Sequence, residues 1–258
     1  MTGYVFDQAW ELERERLAGL EGWLDPGTIR LLDAIGVGAG WRCLEVGGGG
    51  GSIMRWLCER VVPGGSVLAT DLDTRFLETL EEPNLEVRHH DILTDELPAD
   101  SFDLVHARCL VEHLPEPELA LERMRDALKP GGIMLIEDID FVSHEPVTPS
   151  DVYVRVRDAM TTVMQASGFQ PHFGRRLPGM LMRLGLEDLE AEGRVPFGRR
   201  ENNPGMANYK LALGFLREPM IATGTVSGDD IDEAARLLDD LTFELMPPTI
   251  VAAWGRKP

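Results

Sequence analysis

Apolar runs of strand length alternate with segments of helical spacing along the first 140 residues. Phe6 to Leu20 sets Trp10, Leu17 and Leu20 among Glu11, Glu13, Arg14, Glu15 and Arg16, the three-and-four spacing of one buried helical stripe. A second helix is predicted after Asp25-Pro26, a cap followed by a first-turn proline, ending near Gly36. Short apolar strands are predicted over Arg42–Val46, Val67–Thr70, Leu85–Arg88, Phe102–Ala107 and Ile133–Ile136. Between them Ser52–Arg60 and Pro117–Leu128 read as helices, closed by Pro63-Gly64-Gly65 and by Lys129-Pro130-Gly131-Gly132. Beyond Phe141 the pattern loosens. Helices are predicted over Asp151–Met164, Leu177–Leu184, Asn202–Met220 and Asp229–Leu241, and strands over Leu189–Val195 and Thr249–Trp254.

Alternating strands and helices imply an α/β fold, a doubly wound and mostly parallel sheet covered on both faces. Such sheets bind ligands beyond the carboxyl ends of their strands. Glu45, Asp71, Asp91, Arg108 and Glu137 all fall at those ends. We read residues 1–258 as a single domain: N-terminal helices to residue 38, a binding core over 39–140, and a substrate side with cap and final strands over 141–258. The N-terminal helices and the 197–225 segment are expected to cover the site.

Composition narrows the function classes. A hydrophobic share of 43% suffices for a core, and no apolar run is long enough to span a membrane. Met1 to Asp7 has no basic or apolar leader features, so a cytoplasmic location is expected. Cys43, Cys58 and Cys109 are widely spaced, and no Cys/His cluster suggests a metal. The net charge of −19 repels phosphate backbones and anionic lipid, and the basic clusters Arg175-Arg176 and Arg199-Arg200 are both small. Neither nucleic acid nor membrane is expected as partner. The acidity otherwise serves solubility, and nothing in the sequence fixes an oligomeric state.

Five consecutive glycines, Gly47 to Gly51, follow the first strand and precede a helix. Glycine is costly in regular structure, so five together imply a tight turn against which a ligand lies. Gly47 and Gly49 match the first two positions of a dinucleotide G-x-G-x-x-G, but Ser52 takes the last, and Glu45 is poorly placed for a pyrophosphate. The better match is Glu-x-Gly-x-Gly-x-Gly, formed by Glu45, Gly47, Gly49 and Gly51. A cationic cofactor without phosphate tolerates that carboxylate. Asp71 at the end of the second strand is placed to accept from ribose hydroxyls, or else to cap a helix near Thr74, where Asp73 is the better cap. Asp91 is placed to accept from an adenine amino group, or to form an Asx turn.

Glu45 to Gly51, Asp71, Asp91-Ile92, the Phe102-Asp103-Leu104-Val105 strand and Leu128-Lys129-Pro130-Gly131-Gly132 resemble the successive motifs of class I S-adenosylmethionine-dependent methyltransferases. The resemblance covers about residues 40 to 140. More loosely the whole chain, from Asp25-Pro26-Gly27-Thr28 to Val251–Arg256, is similar to bacterial small-molecule methyltransferases. Gly48 departs from the pattern, where alanine is more usual. The resemblance implies a seven-stranded sheet with its last strand antiparallel and S-adenosyl-L-methionine as cofactor. It implies that Gly47 and Gly49 pass under the methionine part, with Glu45 shaping that pocket. Asp71 would hold the ribose, Leu72 would pack on adenine, and Asp91 and Ile92 would meet the adenine edge. Ala107 and Arg108 would lie beside the sulfonium and methionine end.

Methyl transfer is an in-line displacement, so alignment and exclusion of water dominate. A hydroxyl or carbon nucleophile also benefits from a base. His113, in Val111-Glu112-His113-Leu114, is the base candidate; its alternative is a structural residue at a helix start. One of Glu137, Asp138 and Asp140 is expected to face the substrate, the others being solvated. His106 within the fourth strand reads as a satisfied core histidine, and His89-His90 as flanks of the third. Tyr4, Trp10 and Tyr209 are candidates to line a lid over an aromatic or apolar acceptor. The expected function is methyl transfer to a small molecule, in secondary metabolism. The alternatives are a cyclase or decarboxylase that keeps the cofactor, and a non-catalytic binding protein.

Overall fold

The apolar runs pair into one seven-stranded sheet in a computed structural model that describes residues 13–197 and 204–258. Its strands are β1 (Arg42–Val46), β2 (Ser66–Asp71), β3 (Leu85–His89), β4 (Phe102–Arg108), β5 (Leu128–Asp140), β7 (Glu187–Arg194) and β9 (Thr249–Arg256), in the order β3-β2-β1-β4-β5-β9-β7. The first five are parallel, with Leu44 opposite both Leu68 and Val105. β9 runs antiparallel between β5 and β7. Two-residue strands β6 (Glu145–Pro146) and β8 (Leu245–Met246) pair separately. The fold is the Rossmann-like sheet expected from the sequence, with helices α1 (Glu13–Ile35), α2 (Ser52–Arg60), α3 (Pro117–Ala127) and α5 (Leu177–Arg183) among its flanking elements.

Strand alternation divides the core. Leu44, Val46, Val105, Ala107, Met134 and Ile136 belong to one apolar cluster, with α3 and α5. Cys43, Val67, Ala69, Leu104, Ile133 and Leu135 belong to another, with Leu31, Leu32 and α2. Each buried Leu, Ile or Val contributes about 1.5–3 kcal/mol, an upper figure for transfer from water. A third cluster joins α4 (Asp151–Ala166), α6 (Pro204–Phe215), α7 (Arg217–Ala222) and α8 (Gly228–Asp239). That layer carries the far wall of the site.

Several boundaries differ from the sequence reading for physical reasons. The two predicted N-terminal helices are one, running through Pro26. Proline removes its own bond to the carbonyl four residues back and crowds that carbonyl, and the tertiary contacts of this helix outweigh the loss. Gly19 and Gly22 let α6 approach: a Cβ at Gly19 would stand 3.0 Å from the Pro204 carbonyl. Asn202–Met220 splits at Leu216 into α6 and α7, and Asn202 itself lies outside the described residues. After β2 only a short 3-10 turn, Leu77–Thr79, forms. Most consequential, β5 does not stop at Ile136. It pairs with β9 as far as Asp140, so Glu137, Asp138 and Asp140 are inside the sheet.

Candidate cofactor site and acceptor chamber

The face of the sheet beneath α1 changes character at its carboxyl end. Cys43 gives way to Glu45, Leu104 to His106 and Arg108, and Leu135 to Glu137, by the two-residue strand period. These groups make one buried network. His106 Nδ1 lies 2.7 Å from Glu45 Oε2, and its Nε2 lies 3.8 Å from Glu137 Oε2. Thr28 donates to Glu137, Arg108 donates to Thr28 at 2.9 Å and to Asp25 at 2.9 Å, and Arg194 pairs with Glu137 at 2.7 Å. Gly27 permits that last contact, because a Cβ there would stand 2.2 Å from Arg194 Nε. Burial lowers the proton affinity of His106, but the Glu45 and Glu137 carboxylates outweigh it and raise its pKa to about 9. Glu137 is lowered to about 2: burial opposes ionisation, and His106 and Arg194 prevail. Three carboxylates and three cations therefore balance under α1. His106 is a core histidine, as the sequence suggested, but an ionised one that fixes Glu45.

Above this network a cavity of about 460 Å³ opens at the strand ends. Glu45, Gly47, Gly49, Asp71, Leu72, Asp91, Ile92 and Arg108 all line it. The glycine turn spends four of its five glycine N–H groups internally, those of Gly47, Gly48, Gly49 and Gly51. Gly47 and Gly48 donate to the Thr70 carbonyl at 2.8 and 3.1 Å, Gly49 to Asp71 Oδ2 at 2.9 Å, and Ser52 to Glu21 Oε1 at 3.1 Å. Gly47 and Gly49 have φ of +75° and +56°, where a side chain is strained. Asp25 accepts from the Ser52 hydroxyl at 3.1 Å, so two carboxylates of α1 guard the start of α2. A pyrophosphate would find acids there in place of donors. A sulfonium nucleoside fits: its positive charge suits Glu21 and Glu45, and Leu72, 57% exposed beside Asp71, offers an apolar face for a base.

Asp71 also accepts from the Asp73 amide at 3.0 Å; burial pushes its carboxyl up, and these N–H donors oppose the rise. Asp91 accepts from the Leu93 amide at 2.9 Å, so the Asx turn and the cavity wall are the same residue. Gly51 and Ala107 do not line the cavity. Gly51, at φ +98°, precedes α2, and a Cβ there would meet Leu80 at 2.7 Å. Ala107 faces the opposite side of the sheet from His106 and Arg108 and is fully buried.

The acids expected to face substrate do not. Glu137 is in the network above, Asp138 accepts from the Leu110 amide at 3.1 Å, and Asp140 is held by Arg175 at 2.6 and 2.7 Å. None of the three lines the cavity, because the long β5 carries them into the sheet. Tyr4 and Trp10 lie outside the described residues. Tyr209 does line the cavity, as does His113. Burial, with Arg16 nearby, lowers His113 to about 4. His113 Nε2 lies 3.5 Å from Glu112 Oε1, and burial and then Asp138 push the Glu112 carboxyl well above the usual range. Glu112 also accepts from the Ile139 amide at 2.7 Å.

Some wall residues carry no sequence signal that marks them. Cys109 lines the cavity with φ +52°, an uncommon backbone for a non-glycine residue. Asn208, His144, Met160 and Met164 come from segments with ordinary helical or loop patterning. Glu112 alone was detectable, as an acid set among apolar residues next to His113. Among the described residues no cluster of His, Cys, Asp and Glu has the arrangement of a metal site. Among the same residues no helix is long and apolar enough to cross a membrane.

Fold and site together define a class I S-adenosylmethionine-dependent methyltransferase domain. Residues 44–134 match the family model described as a methyltransferase domain. The chain is 30% identical over 180 residues to methyltransferase str2 of Strobilurus tenacellus, covering 68% of this chain and 64% of that protein. It is 29% identical over 211 residues to methyltransferase GfsG of Streptomyces halstedii, covering 73% of each. Among solved structures it superposes with a TM-score of 0.61 on phosphoethanolamine N-methyltransferase 2 of Haemonchus contortus, bound to phosphomonomethylethanolamine and S-adenosylhomocysteine. That likeness, at 17% identity over 94% of this chain and 57% of the other, is one of fold.

Proposed function

We propose that the protein transfers a methyl group from S-adenosyl-L-methionine to a small-molecule acceptor, in secondary metabolism. The observation that carries the reading is the glycine turn. Four of its five glycine amides are bonded inward, acids flank it, and an exposed leucine adjoins a strand-end aspartate. Relatives named as methyltransferases over most of the chain support the same activity. Bound cofactor would supply an electrophilic methyl on a sulfonium, whose sulfur keeps the electron pair of the broken bond and leaves as a neutral thioether that needs no proton. The protein's own work is then positioning. Asp71 and Asp91 hold the nucleoside, Leu72 and Ile92 cover the base, and Arg108 and Glu45, fixed by Asp25 and His106, shape the charged end. The wall formed by α1 and α6 excludes water from the line of approach.

Titration calorimetry tests the cofactor reading. S-adenosylmethionine and S-adenosylhomocysteine are expected to bind, and NAD and NADP not to bind. NAD binding without S-adenosylmethionine binding would overturn it. Asp71→Ala is expected to weaken S-adenosylhomocysteine about 10–150-fold, the loss of a charge-assisted contact of about 1.5–3 kcal/mol. The variant should unfold at nearly the wild-type temperature, because the side chain sits at a strand end. Unchanged affinity in a folded variant would remove Asp71 from the ribose site.

A further inference from the structure

We propose that the cavity's second half binds a neutral, ring-bearing acceptor with a hydroxyl group, held by an aromatic and methionine wall and oriented by Tyr209 and Asn208. The inference rests on the methyl-transfer reading and names its acceptor class. Beyond Leu110, which would meet a Cβ at Gly47 at 3.1 Å, the wall changes from acids to rings and thioethers. Phe141 and Phe169 stand 5.4 Å apart at 58°, and His113 lies 5.2 Å from Phe169 at 35°. Met160 and Met164 of α4 complete a soft apolar surface that accommodates a flat ring.

Polar atoms within this wall lack partners. Asn208 Oδ1 and His144 Nδ1 are buried with no hydrogen bond among the described residues, and the buried Tyr209 hydroxyl has the Tyr153 hydroxyl beside it and no other partner that meets hydrogen-bond geometry. The Tyr153 hydroxyl, stacked nearby, engages His144 Nε2 at 3.2 Å. An unsatisfied buried group costs free energy, so such atoms at a cavity wall mark where a ligand or ordered water supplies the bond. The Tyr209 hydroxyl offers the acceptor's hydroxyl a donor, which leaves that group's own proton free, and Asn208 Oδ1 offers a separate acceptor on the same wall. Burial keeps the Tyr209 phenol protonated, and His144, lowered to about 3 by burial, is neutral.

Charge separates this class from others. Arg16 is closed on Glu13 by bonds of 2.7 and 2.8 Å. Burial pushes the Glu112 carboxyl well above its usual range, with the Ile139 amide already bonded to it, and keeps His113 neutral. Among the described residues this half therefore offers neither an uncompensated cation for a phosphate nor a carboxylate for an ammonium.

The test uses the full chain, with and without saturating S-adenosylhomocysteine, and three probes followed by ligand-detected NMR and calorimetry: 2-naphthol, choline and phosphoethanolamine. 2-Naphthol is expected to bind, and the two charged probes not to bind. Tyr209→Phe should weaken 2-naphthol about 3–10-fold, one hydrogen bond's share, without changing its affinity for 2-methylnaphthalene. Ala212→Leu, which adds bulk to the same wall, should weaken both, with S-adenosylhomocysteine affinity unchanged. Binding of choline or phosphoethanolamine in preference to 2-naphthol would overturn the proposal while leaving methyl transfer standing. No effect of either substitution on 2-naphthol would also overturn it. Failure of S-adenosylhomocysteine to bind would count against methyl transfer, and 2-naphthol binding without it would still decide the chamber.

Discussion

Replacing Glu137 with alanine is expected to cost about 3–5 kcal/mol of folding stability, the penalty for removing one member of a buried charge group. The carboxylate is fully buried among Thr28, His106, Arg194 and, through Thr28, Arg108. Without it, the fully buried His106 and the Arg194 guanidinium lose a shared counter-charge. Glu137→Gln keeps the shape and some hydrogen bonds but not the charge, and should lie between alanine and wild type. The pH dependence has a definite sign. His106 has its pKa raised to about 9, so its contribution is complete below the unfolded value of 6.5 and is lost as pH rises through 9. Glu137 is lowered to about 2, so its contribution is complete above 4.5 and is lost as pH falls through 2. The stability gap between wild type and Glu137→Gln should therefore be widest between about pH 4.5 and 6.5. Urea unfolding across pH measures it. A gap below about 1 kcal/mol throughout would show that the network is dispensable for folding.

The sequence made the cofactor half legible because strand ends constrain it. A short parallel strand can be bounded to within a residue or two, and the residue just past it must face the ligand crevice. Glu45, Asp71, Asp91 and Arg108 were found in this way, Leu72 and Ile92 through the family resemblance, and the structure brings all six to one cavity. Gly51 and Ala107 lay within the same motifs but face elsewhere, for reasons of backbone turn and strand parity that spacing alone does not resolve. The acids after Ile136 misled because a polar run ordinarily ends a strand. Here β9 pairs alongside, and Thr28, Arg175, Arg194 and the Leu110 amide supply partners from distant segments. Partners 109 or 28 residues away leave no local trace. The acceptor half was least legible because its wall is drawn from α4, α6 and the turn after β5, and the rings and methionines there follow ordinary core periodicity.

The two halves differ in how they handle charge. Under α1, carboxylates stay ionised because His106 and two arginines accompany them. Around His113, burial keeps groups neutral: the imidazole has its pKa lowered to about 4, and the Glu112 carboxyl is raised. A neutral chamber in the place proposed for the acceptor, beside a balanced ionic group in the place proposed for the cofactor, suits a displacement in which the sulfonium loses its charge, because no fixed charge there opposes that change.

Substituting His113 with alanine is expected to lower turnover about 10²–10⁴-fold while S-adenosylhomocysteine affinity stays nearly intact, if the imidazole takes the acceptor's proton. Its position in the cavity beside Phe169, within the chamber assigned to the acceptor, supports that role. A histidine at the ordinary pKa would give a rate that rises through pH 6.5. Burial changes that expectation. With a pKa near 4 the imidazole is already unprotonated at pH 6, so the rate should be level from pH 6 to 8 and fall as pH drops through about 4. Stability moves in the same direction. A histidine held neutral loses its favourable balance as pH falls from 6.5 towards 4, so thermal unfolding must be followed in parallel to separate lost activity from lost fold. Single-turnover methyl transfer on wild type and His113→Ala, across that range, provides the measurement. A drop of less than tenfold, with the pH limb unchanged in the variant, would reduce His113 to a wall residue and leave alignment alone to carry the reaction, as it does when the acceptor is already nucleophilic.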